Sequence, residues 1–336
     1  MPGHRTFYNL GIVVLIFLAG LLSDCANNPV NKTSSEFHLV AVAGYTLKAF
    51  GTSGDTYDSV SCSSADFCIA VGKAGNVSIY QARKWSQHLI NNGFLTNDNL
   101  LSSTCLSRKF CEVSSEEGYV YKFDGSKWSS ILVNTTLPDV PGSRALSAIS
   151  CPTQSYCVTG GQGNKVFIYS NGNWSTAIRL GNPNSSIYSI SCAKGSRFCA
   201  LVDGEGNSYL LNDSKWKTYK NIDAQQFPDS ILTSVSCPEI DSCIATDNAG
   251  EAMEFSGNRW SSPTSIDVEG SFSSLSCPSA NYCVAVDEGG NAVVKKNGTW
   301  LPPNLVDASS GIAAVSCPDT HSCLAVANSS LTYWLS

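Results

Sequence analysis

The sequence predicts an all-β protein, a seven-bladed β-propeller closed by an N-terminal strand. Three observations predict this fold: a sevenfold repeat, signals for four strands in each repeat, and a last repeat that stops one strand short. Equivalent cysteines recur every 40 to 46 residues, a period typical of propellers and other repeat arrays. The length of 336 residues would suggest two domains, but a continuous repeat indicates one ring.

Each repeat carries two cysteines, and six repeats carry a tryptophan at fixed spacing. Five residues separate the two cysteines, except in the fourth repeat, which has six. The tryptophan follows the first cysteine by 23 or 24 residues. The first cysteines are Cys62, Cys105, Cys151, Cys192, Cys237, Cys277 and Cys317. The second are Cys68, Cys111, Cys157, Cys199, Cys243, Cys283 and Cys323. The tryptophans are Trp85, Trp128, Trp174, Trp216, Trp260 and Trp300.

The sixth repeat illustrates the four predicted strands. Residues 274–277 alternate between polar and apolar side chains, and residues 284–286 form a short apolar run. A Gly-Asn turn at 290–291 and an Asn-Gly turn at 297–298 then bound a third run. Short alternating runs between such turns are typical of strands and hairpins. Four strands at this period indicate one propeller blade for each repeat.

The two ends of the chain predict how the ring closes. The seventh repeat ends after its third strand, since Trp334 lies only 17 residues after Cys317. Residues 37–50 are the one β-like segment before the first repeat. We expect this segment to pair with residues 330–336 as the missing fourth strand, because closure removes exposed strand edges.

The paired cysteines predict one disulfide in each blade. Opposed residues of a hairpin have Cα atoms about 4.5–5.5 Å apart, which suits a disulfide. Each closed loop of about seven residues would stabilise the fold by about 2.4 kcal/mol. Zinc is the disfavoured alternative, because the pairs lie in different blades and the chain has four histidines. We therefore expect no metal and no cofactor.

Small serines next to the first cysteines predict how the blades pack. They alternate with bulky residues, so each blade would set a small face against the bulky face of its neighbour. This structural role is favoured over a nucleophilic one, because no base lies beside them. The serines are Ser61, Ser150, Ser191, Ser236, Ser276 and Ser316.

The N-terminus indicates export. Residues 1–25 have the features of a signal peptide, with an apolar run at 10–22. Residues 22–25 (LSDC) resemble a bacterial lipobox, although Asp24 departs from the usual small residue. Cys25 is the cysteine left over from 15 and is the predicted lipidation site. Simple secretion and an uncleaved anchor are the alternatives, and all three lead to an oxidising compartment. Residues 26–36 would form a tether and residues 37–336 the propeller.

The repeat also resembles known proteins. The pattern SxSCPxxxxCxAVDxxGN is similar to that of secreted repeat proteins of actinobacteria. The turns at residues 124–128 (DGSKW) and 256–260 (SGNRW) are similar to the Asp-box hairpins of sialidase-type propellers. The resemblance implies a propeller. It implies no sialidase activity, because no three arginines occupy equivalent inner positions as an arginine triad would require.

Recurrent aspartates at the end of the second strand are predicted to shape turns. Asp203, Asp247 and Asp287 occupy one repeat position. Aspartate commonly binds backbone N–H groups of its own turn, and this interpretation is favoured over paired catalytic carboxylates or calcium ligands.

The irregular loops between blades predict a binding face. Such loops share one rim with the turns between second and third strands, and function commonly lies on loops. Phe94, Arg144 and Phe227 are the candidate binding residues. A net charge of −6 without a basic patch argues against nucleic acid.

We therefore expect an exported, lipid-anchored, monomeric propeller. It would be a non-catalytic binding or scaffold module for protein or glycan at the cell envelope, with the membrane reached only through the N-terminal lipid. The alternatives are a carbohydrate-active enzyme, either glycoside hydrolase or lyase, with a site at the ring mouth, and a purely structural surface protein.

Overall fold

The computed structural model confirms a seven-bladed β-propeller with one disulfide in each blade. It describes residues 41–42, 45–46, 48–51, 56–90, 97–135, 142–223, 230–329 and 331–335. Blades are numbered from blade 1, which holds Cys62, to blade 7, which holds Cys317. The predicted signal peptide, the tether and Cys25 lie outside the described residues and stay predictions.

The first two strands of each blade carry its two cysteines. The first strands are Tyr57–Ser64, Leu100–Ser107, Ala148–Thr153, Ile187–Cys192, Leu232–Glu239, Phe272–Ser279 and Ile312–Asp319. The second strands are Phe67–Gly72, Phe110–Ser115, Tyr156–Gly161, Phe198–Asp203, Ser242–Asp247, Tyr282–Asp287 and Ser322–Ala327.

The third and fourth strands complete each antiparallel sheet, and the fourth is split in blades 3, 5 and 6. The third strands are Asn76–Gln81, Tyr119–Phe123, Lys165–Ser170, Ser208–Asn212, Glu251–Ser256, Asn291–Lys296 and Leu331–Leu335. The fourth strands are Lys84–Leu89, Trp128–Leu132, Asn173–Trp174 with Ile178–Arg179, Lys215–Tyr219, Arg259–Trp260 with Thr264–Ser265, Thr299–Trp300 with Asn304–Leu305, and Lys48–Gly51. A short 3-10 helix, Lys73–Gly75, joins two strands of blade 1.

The N-terminal strand closes the ring as predicted, over a shorter stretch. Lys48–Gly51 pairs antiparallel with the third strand of blade 7 and places Lys48 opposite Trp334. Earlier in the predicted segment, Ala41–Val42 and Tyr45–Thr46 pair with each other instead. The Trp334 ring also lies 5.6 Å from the ring of Tyr80 in blade 1, so blades 7 and 1 are in contact.

The hydrophobic core lies between neighbouring blades. At the junction of blades 5 and 6, for example, buried Ile244 and Ala252 pack against Phe272 and Leu275. The repeat tryptophans begin the fourth strands and pack on the third: the rings of Phe123 and Trp128 are 5.0 Å apart. The alternation of side chains along the strands therefore places one face of each sheet against the preceding blade and the other face against the following blade.

All seven predicted disulfides form within their own blades. Their Cα atoms lie 3.9 to 4.1 Å apart, closer than the predicted 4.5–5.5 Å. Among the described residues, one group has three potential metal ligands in reach of one another, Glu112 with Cys151 and Cys157. Both of its sulfurs are oxidised, so neither is available as a thiolate ligand.

A ring of hydrogen bonds joins the blades, which confirms the structural role of the serines and extends it. The residue before each first cysteine accepts a hydrogen bond from the N–H of the first cysteine in the next blade, at 2.9 to 3.4 Å. Ser316 of blade 7 accepts from Cys62 of blade 1, so the ring is complete. The acceptors are Ser61, Thr104, Ser150, Ser191, Ser236, Ser276 and Ser316.

A second, incomplete ring lies two residues earlier in the first strands. Its five serines accept from the next blade at 3.0 to 3.3 Å. Ala148 and Ala314 hold this position in blades 3 and 7. The serines are Ser59, Ser102, Ser189, Ser234 and Ser274. Serine therefore serves as both a small residue and a specific acceptor between blades.

Ser276→Ala is expected to lower the free energy of unfolding by about 1–3 kcal/mol, the cost of a buried donor left without its acceptor. The N–H that loses its acceptor belongs to Cys317, which is 8% exposed. Urea denaturation of the oxidised protein measures the change. Ser130→Ala, at an exposed position of a fourth strand, is the control and should change stability by less than about 0.5 kcal/mol. Equal stability of the two variants would contradict the role of the ring.

Candidate ligand-binding rim

The antiparallel blades give the ring two distinct rims. Turns between second and third strands share one end of the sheets with the connections between blades, and we call this end the turn rim. Turns between the paired cysteines lie at the opposite end, which we call the cysteine rim. The predicted binding loops belong to the turn rim.

Of the predicted binding residues, the structure describes Arg144. It is half-buried in the connection between blades 2 and 3, and its carbonyl accepts a hydrogen bond of 3.0 Å from Asn134 Nδ2. Phe94 and Phe227 lie outside the described residues, in the segments 91–96 and 224–229. The fourth strand of blade 1 ends at Leu89 and the first strand of blade 2 begins at Leu100, so the connection that contains Phe94 lies between these two residues.

A β-bulge near the turn rim redirects one side chain in most first strands. In six blades the pairing of first and second strands skips one residue there, and bulges commonly re-aim a side chain. Two of the six residues are exposed, Asp58 and Tyr188. The six are Asp58, Leu101, Tyr188, Thr233, Ser273 and Ala313. Tyr188, at 46% exposure, is the exposed aromatic among them.

A cavity of about 860 Å³ lies on the turn rim across blades 3 to 5. Its wall presents amide, hydroxyl and charged groups, chiefly from Asn182, Glu205, Asn207, Lys220, Asn221 and Ser230. Gly204 also lines it, and the Tyr188 ring lies directly against this glycine: a Cβ there would come within 2.7 Å of Tyr188 Cε2. The exposed tyrosine therefore stands at the edge of the cavity.

Asp203 fixes the turn that lines this cavity, as the sequence predicts. Its Oδ1 accepts the N–H groups of Glu205 and Asn207, both at 2.9 Å. Its Oδ2 accepts the Tyr209 hydroxyl at 2.7 Å. Burial, together with this bond to the carboxylate, raises the pKa of Tyr209 well above its usual range. The hydroxyl therefore stays protonated and serves as a structural donor.

Asp247 and Asp287 bind their own turns in the same way. Asp247 Oδ1 accepts the N–H of Ala249 at 3.0 Å and that of Glu251 at 2.8 Å. Asp287 Oδ1 accepts the N–H of Asn291 at 2.7 Å. The turn-shaping role predicted for this repeat position is confirmed.

A second recurrent aspartate was not recognised from the sequence. Asp223, Asp267 and Asp307 each follow a repeat tryptophan by seven residues, and each is buried in a connection at the turn rim. Burial opposes ionisation of Asp307, but hydrogen bonds from Ser309, Ser329 and Tyr333 prevail and lower its pKa to about 2. The fixed distance from the tryptophan is the signal that could have revealed this set.

The described arginines are scattered, as the sequence predicts. Arg83 lies in the turn before a fourth strand, Arg259 begins a fourth strand, and Arg108 and Arg197 lie at the cysteine rim. Arg179 binds the carbonyl of Gly163 at 3.0 Å. No three of the described arginines meet at the cavity, where Lys220 is the cationic side chain. The cavity wall is therefore suited to hydrogen bonding.

Two other depressions occur in the described part of the ring. One of about 490 Å³ lies on the cysteine rim, beside exposed Ile240. The other, of about 570 Å³, lies between blades 2 and 3 and reaches Glu112, which is 4% exposed. Burial raises the pKa of Glu112 to about 7, although nearby Lys122 lowers it. The other blades hold an apolar residue at the position of Glu112.

The fold has well-matched structural neighbours. YCF48, in a structure described as bound to D1 peptide, is 12% identical with a TM-score of 0.68, over 88% of this chain and 99% of its own. The WD40 β-propeller domain of Doa1 is 12% identical with a TM-score of 0.69, over 88% and 97%. Raptor of Chaetomium thermophilum is 10% identical with a TM-score of 0.66, over 85% of this chain and 28% of its own.

In sequence, no protein-family model and no curated protein matches the chain. At 10 to 12% identity, the structural likeness shows the fold alone. It identifies the chain as similar in fold to other β-propellers.

Proposed function

We propose that this propeller is a non-catalytic binding module that holds an extended protein segment on the turn rim of blades 3 to 5. The observation that carries the proposal is the cavity of about 860 Å³ with Tyr188 at its edge. An exposed aromatic beside a concave polar surface is typical of a residue that anchors a partner.

The cavity wall suits a peptide. The side-chain amides of Asn182, Asn207 and Asn221 each carry donors and an acceptor, and can pair with the N–H and C=O groups of an extended backbone. Glu205 and Lys220 add one charge of each sign, which would select for charged side chains of the ligand. The neighbouring structure of YCF48 with D1 peptide supports a peptide ligand on a propeller of this shape.

The buried aspartates support binding without catalysis. Asp203 and Asp287 use both carboxylate oxygens to hold their turns. A glycosidase needs two carboxyl groups that face a shared substrate. The carbohydrate-active alternative would therefore need acids other than these two.

The cellular setting is part of the proposal. Seven disulfides indicate an oxidising, extracellular environment. Within the described residues, no helix is long and apolar enough to span a bilayer. We propose that the chain is exported and attached to the envelope through a lipid on Cys25.

Tyr188→Ala is expected to weaken binding of selected peptides by about 10- to 30-fold, the loss typical of an aromatic anchor. The oxidised protein would be screened against a random peptide display library and, in parallel, a glycan array. Gly204→Ala should also weaken binding, because its Cβ would displace the Tyr188 ring. Ile240→Ala, on the cysteine rim, is the matched control and should leave affinity unchanged.

Two outcomes would contradict this proposal. Equal affinity of wild-type protein and Tyr188→Ala would place the peptide elsewhere. Selective glycan binding, with no peptide enriched, would make the protein a lectin-like propeller rather than a peptide receptor.

A further inference from the structure

We propose that the turn rim holds a calcium site at the junction of blades 4 and 5, formed by Asp223, Asp247 and Glu251. The proposal rests on how the chain neutralises its own buried carboxyl groups, and it does not depend on which ligand the rim binds. The repeat supplies the controls, because equivalent junctions carry different numbers of carboxyl groups.

Junctions with one buried carboxyl group satisfy it completely. Between blades 3 and 4, Asp203 receives bonds from backbone N–H groups, Tyr209 and the Asn164 amide. Between blades 6 and 7, Asp307 receives bonds from Ser309, Ser310 and Ser329. Enough donors surround each of these two carboxyl groups to satisfy its hydrogen bonds in the interior.

The junction of blades 4 and 5 gathers three carboxyl groups. Asp223, Asp247 and Glu251 are 1%, 0% and 6% exposed. The Ser230 hydroxyl lies 3.4 Å from both Asp223 Oδ2 and Asp247 Oδ2, which places the two aspartates side by side. Glu251 occupies the position of Asn207 in blade 4 and Asn291 in blade 6, so an acid replaces an amide donor only here.

One oxygen of this cluster has no donor among the described residues. Glu251 Oε2 is buried and has no hydrogen-bond partner in the described part of the chain. No described lysine, arginine or histidine forms an ion pair with Asp247 or Glu251. Buried negative charge is costly unless it is paired, so a cation at this junction would stabilise the folded protein.

Calcium suits the chemistry of the site. Carboxylate oxygens are among the ligands that it prefers, in flexible geometry. Ser230 both bonds the two aspartates and lines the cavity of the turn rim, so an ion could enter from that cavity. The three carboxylates do not lie within one coordination sphere. We therefore expect calcium to draw in the Glu251 side chain, which has three rotatable bonds.

The junction of blades 5 and 6 provides an internal comparison. Asp267 and Asp287 form a pair of buried carboxyl groups there, and Asp267 Oδ2 has no partner among the described residues. Blade 6 has Asn291 in place of the third acid. Two carboxylates are a poorer set for an ion with six to eight ligands, so we expect one calcium ion for each chain.

The test is calcium titration of the purified, oxidised, EDTA-treated protein at pH 7.5, by calorimetry and by thermal unfolding. Wild-type protein should bind one Ca²⁺, with a Tm rise of about 4 °C at a hundredfold excess over Kd. Glu251→Asn, which restores the residue of blades 4 and 6, should weaken binding at least about 10-fold. Asp223→Asn should do the same. Glu239→Gln, exposed on the cysteine rim, is the control and should bind as wild type.

Three results would overturn the proposal. The first is neither heat nor Tm shift in wild-type protein up to about 10 mM calcium, beyond the range of extracellular calcium modules. The second is unchanged affinity in both Glu251→Asn and Asp223→Asn. The third is a combination of two observations: wild-type protein binds no calcium at pH 7.5, and its stability rises on acidification unless Glu251→Asn is present. The carboxyl groups would then share protons instead of binding an ion. If one variant fails to fold, the calcium affinity of the other variant and the titration of the wild-type protein still test the proposal.

Discussion

Complete reduction of the seven disulfides is expected to unfold the propeller. Each disulfide closes a separate loop of about seven residues, for which loop-closure entropy gives about 2.4 kcal/mol. The loops do not overlap, so their effects on the unfolded chain combine to about 17 kcal/mol. Domains are commonly stable by only about 5–15 kcal/mol.

The measurement is near-ultraviolet circular dichroism and resistance to trypsin, after reduction and alkylation under native conditions. The alkylated but unreduced protein is the control. A single-blade variant, Cys277→Ala with Cys283→Ala, should lose about 2–3 kcal/mol and remain folded. A fully reduced chain that melts cooperatively within a few degrees of the oxidised protein would show that the disulfides are dispensable.

Glu112→Val is expected to stabilise the protein by about 3 kcal/mol at pH 8, since a tenfold change in proton affinity corresponds to about 1.4 kcal/mol. Valine or another apolar residue fills this position in every other blade. The carboxyl group of Glu112 is 4% exposed and lies against the disulfide of blade 3, with Oε2 3.8 Å from Cys151 Sγ. Burial raises the pKa of this carboxyl group from 4.5 to about 7.

The raised pKa of Glu112 predicts a pH dependence with a definite sign. Since the folded-state pKa is the higher one, the folded protein binds the proton more tightly than the unfolded chain. The stability that Glu112 contributes is full below about pH 4.5 and is lost as the pH rises through 7. Lys122, its cross-strand partner, lowers the pKa of Glu112 but does not outweigh burial.

Urea denaturation at pH 5 and pH 8.5 tests this prediction. Wild-type protein should become less stable across the range, and Glu112→Val should lose about 3 kcal/mol less than wild type. The comparison matters because burial also raises the pKa of Asp98, Asp247 and Asp267, which gives a slope of the same sign in both proteins. Glu239→Gln serves as the exposed control. Equal slopes in wild type and Glu112→Val would contradict the assignment.

The repeat predicted the fold in detail because every blade packs against its neighbours through equivalent residues. The spacing of Cys62 and Cys68, found in six of the seven blades, requires a short hairpin and thereby limits the strand register. The missing strand after Trp334 left one unpaired edge, which the N-terminus could fill. The serine before each cysteine implied close approach of the blades, although alternation alone could not show that its hydroxyl accepts a hydrogen bond.

The functional features depart from the repeat, and the sequence predicted them less well. Tyr188 becomes exposed because a bulge shifts the register by one residue, which alternation does not show. Glu112 stands where the other repeats hold an apolar residue, but the sequence alone does not show that its carboxyl group lies against the disulfide of blade 3. The cavity across blades 3 to 5 arises from the way in which separate turns meet, so no local motif marks it.

The most direct test of a binding site on the turn rim is hydrogen–deuterium exchange of the oxidised protein, with and without a peptide selected from the display library. Protection of residues 204–209 and 218–223, which line the cavity, is the predicted result. Residues 195–198 and 240, beside the depression on the cysteine rim, should exchange as in the free protein. Protection confined to the cysteine rim, or to blades 1, 2, 6 and 7, would contradict the account.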